Sequence, residues 1–107
     1  MSDAKRWKRV KKTTERYARV FGLRLKKVKL FRAGYYSGLC HSDGTIKVSI
    51  RYRNGDLRKS YEVFDTIAHE LAHLAHFNHR EEWIRLFSKI LTRMADDKVF
   101  DKFRRKW

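Results

Sequence analysis

Residues 68–83 read AHELAHLAHFNHREEW and contain four of the five histidines of the chain. His69 and His73 are four residues apart in a segment with helical periodicity, so their imidazoles share one face of a helix. At that spacing both rings can bind one metal ion at about 2.0–2.1 Å. Glu70 lies beside them, where its carboxylate can act on a water molecule at the metal. The stretch therefore predicts a helix that carries a metal site.

A catalytic zinc ion has three protein ligands and one open position, so the site needs a third ligand. The side chains within reach along the chain are His76, His79, Glu81 and Glu82. His76 lies two turns from His69, too far along a straight helix to complete a tetrahedron. His79 fits if the helix ends near Asn78 and the chain turns back, because asparagine tolerates the left-handed conformation that ends helices. We therefore expect His69, His73 and His79 to hold one Zn²⁺ ion.

The composition limits the class of protein. The 107 residues, 42% of them hydrophobic, fit one domain with one core. Cys40 is the only cysteine, so no internal disulfide is expected, which suits a reducing compartment. No apolar run approaches the roughly 20 residues of a membrane helix, and none follows the basic N-terminus as in a secretory signal. We expect an intracellular protein, in the cytoplasm or nucleoid, or in the nucleus of a eukaryotic or viral system.

The net charge of +15 is large for this length, and it is unevenly distributed. Residues 1–32 contain 13 of the 27 basic residues and two acidic ones. Such an imbalance predicts a polyanionic partner, and DNA bound through its phosphates without sequence reading is the first candidate. The positions that we expect to contact DNA are Lys5, Lys8, Arg9, Lys12, Arg16, Arg19, Lys27, Lys29, Arg104 and Arg105.

The remaining pattern predicts an α+β fold. An amphipathic helix over 3–21 has Trp7, Val10, Thr14, Tyr17 and Phe21 on one face, and Gly22 marks its end. Strands are expected over 23–31, 35–41 and 45–50, and the turn at 42–44 joins the last two as a hairpin. We expect a zincin-like minimal domain in which an N-terminal helix precedes a three-stranded antiparallel sheet, the active-site helix and C-terminal helices.

The C-terminal half of the chain predicts three helices. The active-site helix is expected over 61–77 with Ser60 as its N-cap, and the next helix over 80–95. Asn78 could cap that second helix, with Glu81 completing a capping box. A last short helix should begin after a cap at residue 96 or 97. Its apolar residues, Val99, Phe100, Phe103 and Trp107, are expected to join the core.

Residues 45–51 and 63–83 resemble the WLM and YgjP-like metallopeptidases, which belong to the SprT-like (Spartan) group. The resemblance covers about residues 35–95 and includes the spacing of the three histidines, the Asn78–His79 pair and Trp83 four residues after the third histidine. It implies that residues 1–107 form one metallopeptidase domain with its own basic N-terminal helix and C-terminal tail. Eukaryotic WLM and Spartan proteases cleave proteins crosslinked to DNA. The resemblance therefore implies a DNA-dependent zinc endopeptidase whose substrate is a protein.

The expected mechanism is metal-assisted peptide hydrolysis by a monomer, with Glu70 as the catalytic base. A substrate strand would add to a sheet edge, expected at residues 45–52. The candidates for stabilising the oxyanion are Tyr35, Tyr36, Tyr52 and Tyr61.

Two other functions are compatible with the sequence. One is a non-catalytic nucleic-acid-binding module with a structural zinc ion, and Glu70 disfavours it because a closed structural site has no use for such a carboxylate. The other is a regulatory peptidase that cleaves one repressor, as in the ImmA/IrrE-like group. That group usually uses an acidic third ligand further downstream, which disfavours it here.

Overall fold

The computed structural model describes residues 1–31 and 36–107, except for the side chains of residues 105 and 106. Tyr35 and the side chain of Arg105, both named above, lie outside the described residues. The elements, in chain order, are α1 (Asp3–Val20), β1 (Lys27–Leu30), β2 (Gly38–Cys40), β3 (Thr45–Val48), α2 (Ser60–His73), α3 (Glu81–Asp96) and α4 (Val99–Lys106).

Helix α1 has the amphipathic face that its sequence predicts. Val10, Thr14 and Tyr17 are buried against the rest of the fold. The Ser2 hydroxyl accepts a hydrogen bond from the backbone N–H of Lys5 at 3.2 Å, which caps the first turn. Gly22 follows the helix with a φ of +64°, a conformation that glycine adopts without steric cost.

The sheet has the strand order β1-β3-β2. β2 and β3 form the predicted antiparallel hairpin, with Leu39 opposite Lys47. β1 runs parallel to β3, with Lys27 opposite Thr45, so the prediction of a fully antiparallel sheet is wrong. The chain passes from β1 to the far edge of the sheet before the hairpin returns it, and β3 therefore enters the middle in the direction of β1. An alternating pattern identifies a strand but not its neighbours.

Helix α2 lies at the centre of the fold, and Phe64, Ile67 and Leu71 are fully buried along it. Its N-cap residue is Lys59 and not Ser60, which is the first helical residue. The helix ends at His73, four residues earlier than predicted. The N–H of Leu74 bonds to the Leu71 carbonyl at 3.1 Å, and the next residue repeats this three-residue step, so the last turn tightens and stops.

Helices α3 and α4 complete the core on the other side of α2. Phe103 of α4 stacks on Phe64 at 4.8 Å between ring centroids. Lys98 connects the two helices with a φ of +62° and is the N-cap of α4, so the predicted cap at residue 96 or 97 is wrong. The Asp97 carboxylate instead accepts a hydrogen bond from the Tyr17 hydroxyl at 2.7 Å. Within the described residues, every helix is too short or too polar to cross a membrane.

Candidate metal centre

Three imidazoles converge where α2 ends. The Nε2 atoms of His73 and His79 are 3.0 Å apart, and those of His79 and His69 are 3.2 Å apart. The candidate ligand atoms all lie within 4.8 Å of one another. Two nitrogens that bind one zinc ion at 2.0–2.1 Å with tetrahedral angles are about 3.3 Å apart. The spacing and the all-imidazole donor set therefore fit one zinc ion.

The turn after α2 brings His79 back to the helix. The Asn78 side-chain oxygen accepts a hydrogen bond from the backbone N–H of Arg80 at 3.3 Å, so the side chain shapes the turn locally. Among the described residues, Lys98 is the only non-glycine residue with a positive φ, so Asn78 is not left-handed. The N-cap of α3 is Arg80, and the predicted capping box of Asn78 and Glu81 does not form. The expected turn is present, but an Asx-type hydrogen bond makes it.

Hydrogen bonds orient the rings that face the cluster. His73 Nδ1 lies 2.9 Å from the backbone carbonyl oxygen of His76. That oxygen can only accept, so Nδ1 carries the proton and Nε2 presents its lone pair to the cluster. The His76 imidazole lies outside the cluster and pairs with Glu82 at 3.4 Å. His76 is therefore not part of the cluster, and its backbone carbonyl orients His73.

The environment of the cluster favours neutral imidazoles. Burial, followed by the neighbouring His73 and His79, lowers the pKa of His69 to about 4. Burial also lowers the pKa of His73, although its hydrogen bond to the His76 carbonyl opposes this. Metal ligation requires the deprotonated ring nitrogen. The rings of His69 and His73 are therefore available to a metal at neutral pH.

Glu70 lies next to the cluster with only 6% of its surface exposed. Its Oε2 atom is 3.2 Å from His69 Nδ1. Burial raises the pKa of Glu70 to about 7, because the charged carboxylate loses hydration. A carboxyl group with a pKa near neutrality can both take up and release a proton, as general acid–base catalysis requires.

Strand β2 passes unusually close to Glu70 at Gly38. A Cβ atom on Gly38 would lie 2.5 Å from Thr66 Cγ2 and 3.2 Å from Glu70 Oε2. Only glycine therefore allows the strand to approach the helix this closely. Gly38 was not among the predicted site residues, although a glycine inside a strand pattern signals a close backbone approach.

The edge of the sheet next to Glu70 is β2. The predicted edge at residues 45–52 is wrong, because β3 is paired with β1 on one side and with β2 on the other. A cavity of about 300 Å³ opens beside the contact between β2 and α2. We call it the Glu70 cleft, and it is lined by Tyr36, Ser37, Gly38, Asp65, Thr66, His69 and Glu70.

The tyrosine candidates fall in different places. Tyr36 is 63% exposed and lines the Glu70 cleft. The Tyr52 hydroxyl donates to the Glu62 carboxylate, which holds it outside the cleft. Tyr61 is exposed and lines a neighbouring cavity. Of the candidates in the described residues, Tyr36 is therefore the one that reaches the site.

Trp83 forms the inner wall of the histidine cluster. Its ring centroid lies 4.8 Å from that of His69, 5.3 Å from His73 and 4.6 Å from His79. Phe87 stacks on its other side at 4.9 Å. The buried Trp83 Nε1 has no hydrogen-bond partner among the described residues. The indole thus contributes its shape and its apolar faces to the cluster.

The basic residues expected to contact DNA lie mostly on the surface. Arg9 is the half-buried exception, with its guanidinium 5.1 Å from the centre of the Phe103 ring. Arg16 pairs with Asp97 at 3.2 Å. The exposed members of the set are Lys5, Lys8, Lys12, Arg16, Arg19, Lys27, Lys29 and Arg104.

A cavity of about 550 Å³ between α1 and β1 gathers some of these charges. Its basic lining residues are Lys11, Arg19, Lys26 and Lys27, of which only Arg19 and Lys27 were among the predicted DNA contacts. Glu15 is the one acidic residue among the described residues that line it. Contact with Lys29, and repulsion from it and from Lys26, lowers the pKa of Lys27. We call this cavity the basic groove. Asp43, which pairs with Lys26 at 3.4 Å, opposes this lowering of the Lys27 pKa only in part.

The fold resembles two solved structures. A Wss1 mutant from Saccharomyces cerevisiae has a TM-score of 0.72 and 13% identity, over 80% of this chain and 72% of that one. A Wss1 mutant from S. pombe has a TM-score of 0.67 and 18% identity, over 84% of this chain and 86% of that one. No curated protein matches the sequence. At these identities the likeness shows a shared fold.

The family is shown by a match over most of the chain. The model of the YgjP-like metallopeptidase domain matches residues 3–99, which include α1, the sheet, α2, α3 and the complete histidine cluster. The match confirms the resemblance that the histidine spacing indicated. The chain belongs to the YgjP-like metallopeptidase family.

Proposed function

We propose that this protein is a zinc-dependent endopeptidase that cleaves proteins bound or crosslinked to DNA. The convergence of three imidazole nitrogens beside the buried carboxylate of Glu70 carries the proposal. One Zn²⁺ ion would be held by His69, His73 and His79. Three protein ligands leave a coordination position for water and substrate, which is the arrangement of catalytic rather than structural zinc.

Glu70 moves the proton in the proposed reaction. A zinc ion held by the three imidazoles would supply Lewis acidity, which would lower the pKa of a bound water toward 7 and polarise a carbonyl group. The Glu70 carboxylate takes the proton from the attacking water and later gives it to the leaving amine. The low polarity around Glu70 supports this role, because burial brings its pKa to about 7. Trp83 and Phe87 keep water away from the inner side of the cluster.

The substrate would lie in the Glu70 cleft along the edge of β2. An extended peptide can add to a sheet edge through main-chain hydrogen bonds. Gly38 lets this edge approach Glu70, so a bound peptide bond would lie beside the carboxylate. Tyr36 lines the same cleft and is the tyrosine that we assign to oxyanion stabilisation.

The DNA part of the proposal is supported by charge and by the family resemblance. Lys11, Arg19, Lys26 and Lys27 place four cations around the basic groove, which suits the phosphates of a nucleic-acid backbone. The other exposed residues that we expect to contact DNA lie on α1, β1 and α4. One copy of residues 1–107 supplies the cluster, Glu70 and the groove, so we propose a monomer that works in a compartment containing DNA.

Cleavage of a DNA-bound protein tests the proposal. The zinc-loaded protein is incubated with a DNA-binding protein, alone and with single- or double-stranded DNA, and fragments are identified by mass spectrometry. We expect cleavage that DNA stimulates and that Glu70→Gln abolishes while zinc content is kept. Absence of cleavage in every DNA condition, or equal cleavage by Glu70→Gln, would contradict a peptidase that uses Glu70.

A further inference from the structure

A second cavity of about 540 Å³ lies next to the Glu70 cleft along α2. Ser37, Asp65 and Thr66 line both cavities, so the two are adjacent. The far cavity is completed by Arg58, Tyr61, Glu62 and Phe100. Positions 62, 65, 66 and 69 share one face of α2, because they are three or four residues apart. A peptide that lies beside Glu70 would therefore extend past this face.

Most of the charges in the far cavity are engaged by the protein itself. The Glu62 carboxylate accepts the Tyr52 hydroxyl. The Arg58 guanidinium lies 4.7 Å from the centre of the Tyr52 ring, and its Nε donates to the Arg51 carbonyl at 3.2 Å. Arg58 and Glu62 thus both contact Tyr52, one at the face of its ring and the other at its hydroxyl.

Asp65 differs from these residues. Its side chain is exposed and lines both cavities, and it has no hydrogen bond or ion pair with any of the described residues. Partial burial raises the pKa of its carboxyl, with no basic neighbour to oppose the effect. A carboxylate in this position gains from an arriving cation, which would supply the missing partner.

The helix geometry sets the distance from Asp65 to the reacting bond. Asp65 precedes His69 by four residues and Glu70 by five, which is about 6–7.5 Å along the axis of α2. An extended peptide advances about 3.3 Å per residue. Asp65 therefore lies about two residues from a peptide bond held at Glu70. The exposed rings of Tyr36 and Tyr61 at the margins of the two cavities also favour a cation.

We propose that Asp65 is a specificity-determining residue that selects a lysine or arginine about two residues from the scissile bond. The inference rests on the proposed peptidase function and names the substrate class of its site: proteins with basic, extended segments. The net charge of +15 repels such segments at long range. A carboxylate inside the cleft attracts them at short range, where the remaining charges of the protein are screened.

A binding experiment tests Asp65 without requiring catalysis. Zinc-loaded Glu70→Gln is titrated with labelled peptides that carry one lysine at each position in turn, and with matched glutamine and glutamate peptides, by fluorescence anisotropy. We expect lysine at one or two positions to tighten binding about tenfold, as a charge-assisted hydrogen bond does. Adding Asp65→Asn should remove the preference, and Asp65→Lys should reverse it toward glutamate. Asp96→Asn makes the same change of charge on an exposed residue outside the cavity and should keep the preference.

Cleavage by the wild-type protein separates the inference from the function on which it rests. Cleavage sites with lysine or arginine enriched about two residues away, and an enrichment lost in Asp65→Asn, support both. Cleavage with no basic preference, or with a preference that Asp65→Asn keeps, overturns the role of Asp65 and leaves the peptidase intact. If nothing is cleaved, the peptidase proposal fails, and the anisotropy result alone decides whether Asp65 binds basic side chains.

Discussion

The histidine cluster and the basic groove represent two ways of building a functional surface. In the cluster, Nε2 atoms stand 3.0 and 3.2 Å apart, and Glu70 has 6% of its surface exposed. In the basic groove, exposed lysines and arginines surround a cavity of about 550 Å³. Short-range geometry defines the first, and summed charge at longer range defines the second. A single substitution should therefore cause a large loss of zinc affinity in the cluster and a small loss of DNA affinity in the groove.

The largest effect is expected from loss of a histidine in the cluster. His79→Ala removes one of three ligands and should weaken zinc binding at least about 100-fold, since each ligand contributes a large share of the binding free energy. Competition with a chromogenic chelator measures the affinity. His76→Ala is the matched control, because His76 is a neighbouring histidine outside the cluster, and its affinity should stay close to that of the wild type. Equal losses in the two variants would refute the ligand assignment.

Gly38→Ala should have the next largest effect. The added methyl group would lie 2.5 Å from Thr66 Cγ2, so β2 must move away from α2. We expect kcat/KM to fall at least about tenfold and the free energy of unfolding to fall by about 1–3 kcal/mol, as in other overpacked sites.

Thr66→Ser supplies the control for Gly38→Ala. It removes Cγ2 and keeps the hydroxyl that bonds to the Ser37 hydroxyl at 3.0 Å. The double variant should recover part of the lost activity. Absence of any recovery would show that the close approach of β2 is not the cause of the loss.

Substitution of Trp83 should have an intermediate effect on zinc affinity, because its indole packs against the three histidines without binding the metal. Trp83→Leu removes ring contacts to all three histidines and should weaken zinc binding about tenfold, the order of effect seen for residues that support metal ligands. Trp83→Phe keeps an aromatic ring and loses no hydrogen bond, since Nε1 has no partner among the described residues. It should bind zinc nearly as well as the wild type. Equal losses of zinc affinity in Trp83→Phe and Trp83→Leu, measured by chelator competition, would contradict a role for the aromatic ring in supporting the ligands.

The basic groove should give the smallest single effect. Lys27→Glu should weaken DNA binding only a few fold at low salt, and a further Arg19→Glu should add to the loss. Each phosphate contact removed lowers the slope of log K against log salt by about one. Fluorescence anisotropy with Glu70→Gln measures both quantities. Lys89→Glu makes the same change of charge on the exposed surface of α3, outside the groove. An equal loss of DNA affinity in this variant would show that the groove is not the DNA-binding site.

Local patterns predicted much of the fold. The buried face of α1, its end at Gly22, the hairpin of β2 and β3, and the three C-terminal helices follow from periodicity and turn residues. The parallel pairing of β1 with β3 does not, because pairing is decided between distant segments. The same limit explains the wrong sheet edge: residues 45–48 read as a strand, but nothing in their alternation shows that both sides are occupied.

The residues of the site also fall into those that the sequence predicted and those that it did not. The spacing of His69, His73 and His79 predicted the cluster, because the donor atoms are close in sequence. Gly38 and Asp65 were not predicted, since their importance arises where β2 meets α2, twenty-seven residues apart along the chain. Asn78 was identified as the turning residue, but the wrong conformation was expected, since asparagine can turn a chain through its side chain as well as its backbone.

A crystal structure of the zinc-loaded Glu70→Gln protein, with anomalous data at the zinc edge, tests the metal centre most directly. One ion should be bound by the Nε2 atoms of His69, His73 and His79 at about 2.0–2.1 Å, with a water or substrate oxygen in the remaining position. A fourth protein ligand, such as His76 or Glu82, would close the site and indicate structural zinc. A zinc ion bound elsewhere, with the three imidazoles unligated, would contradict the proposed peptidase.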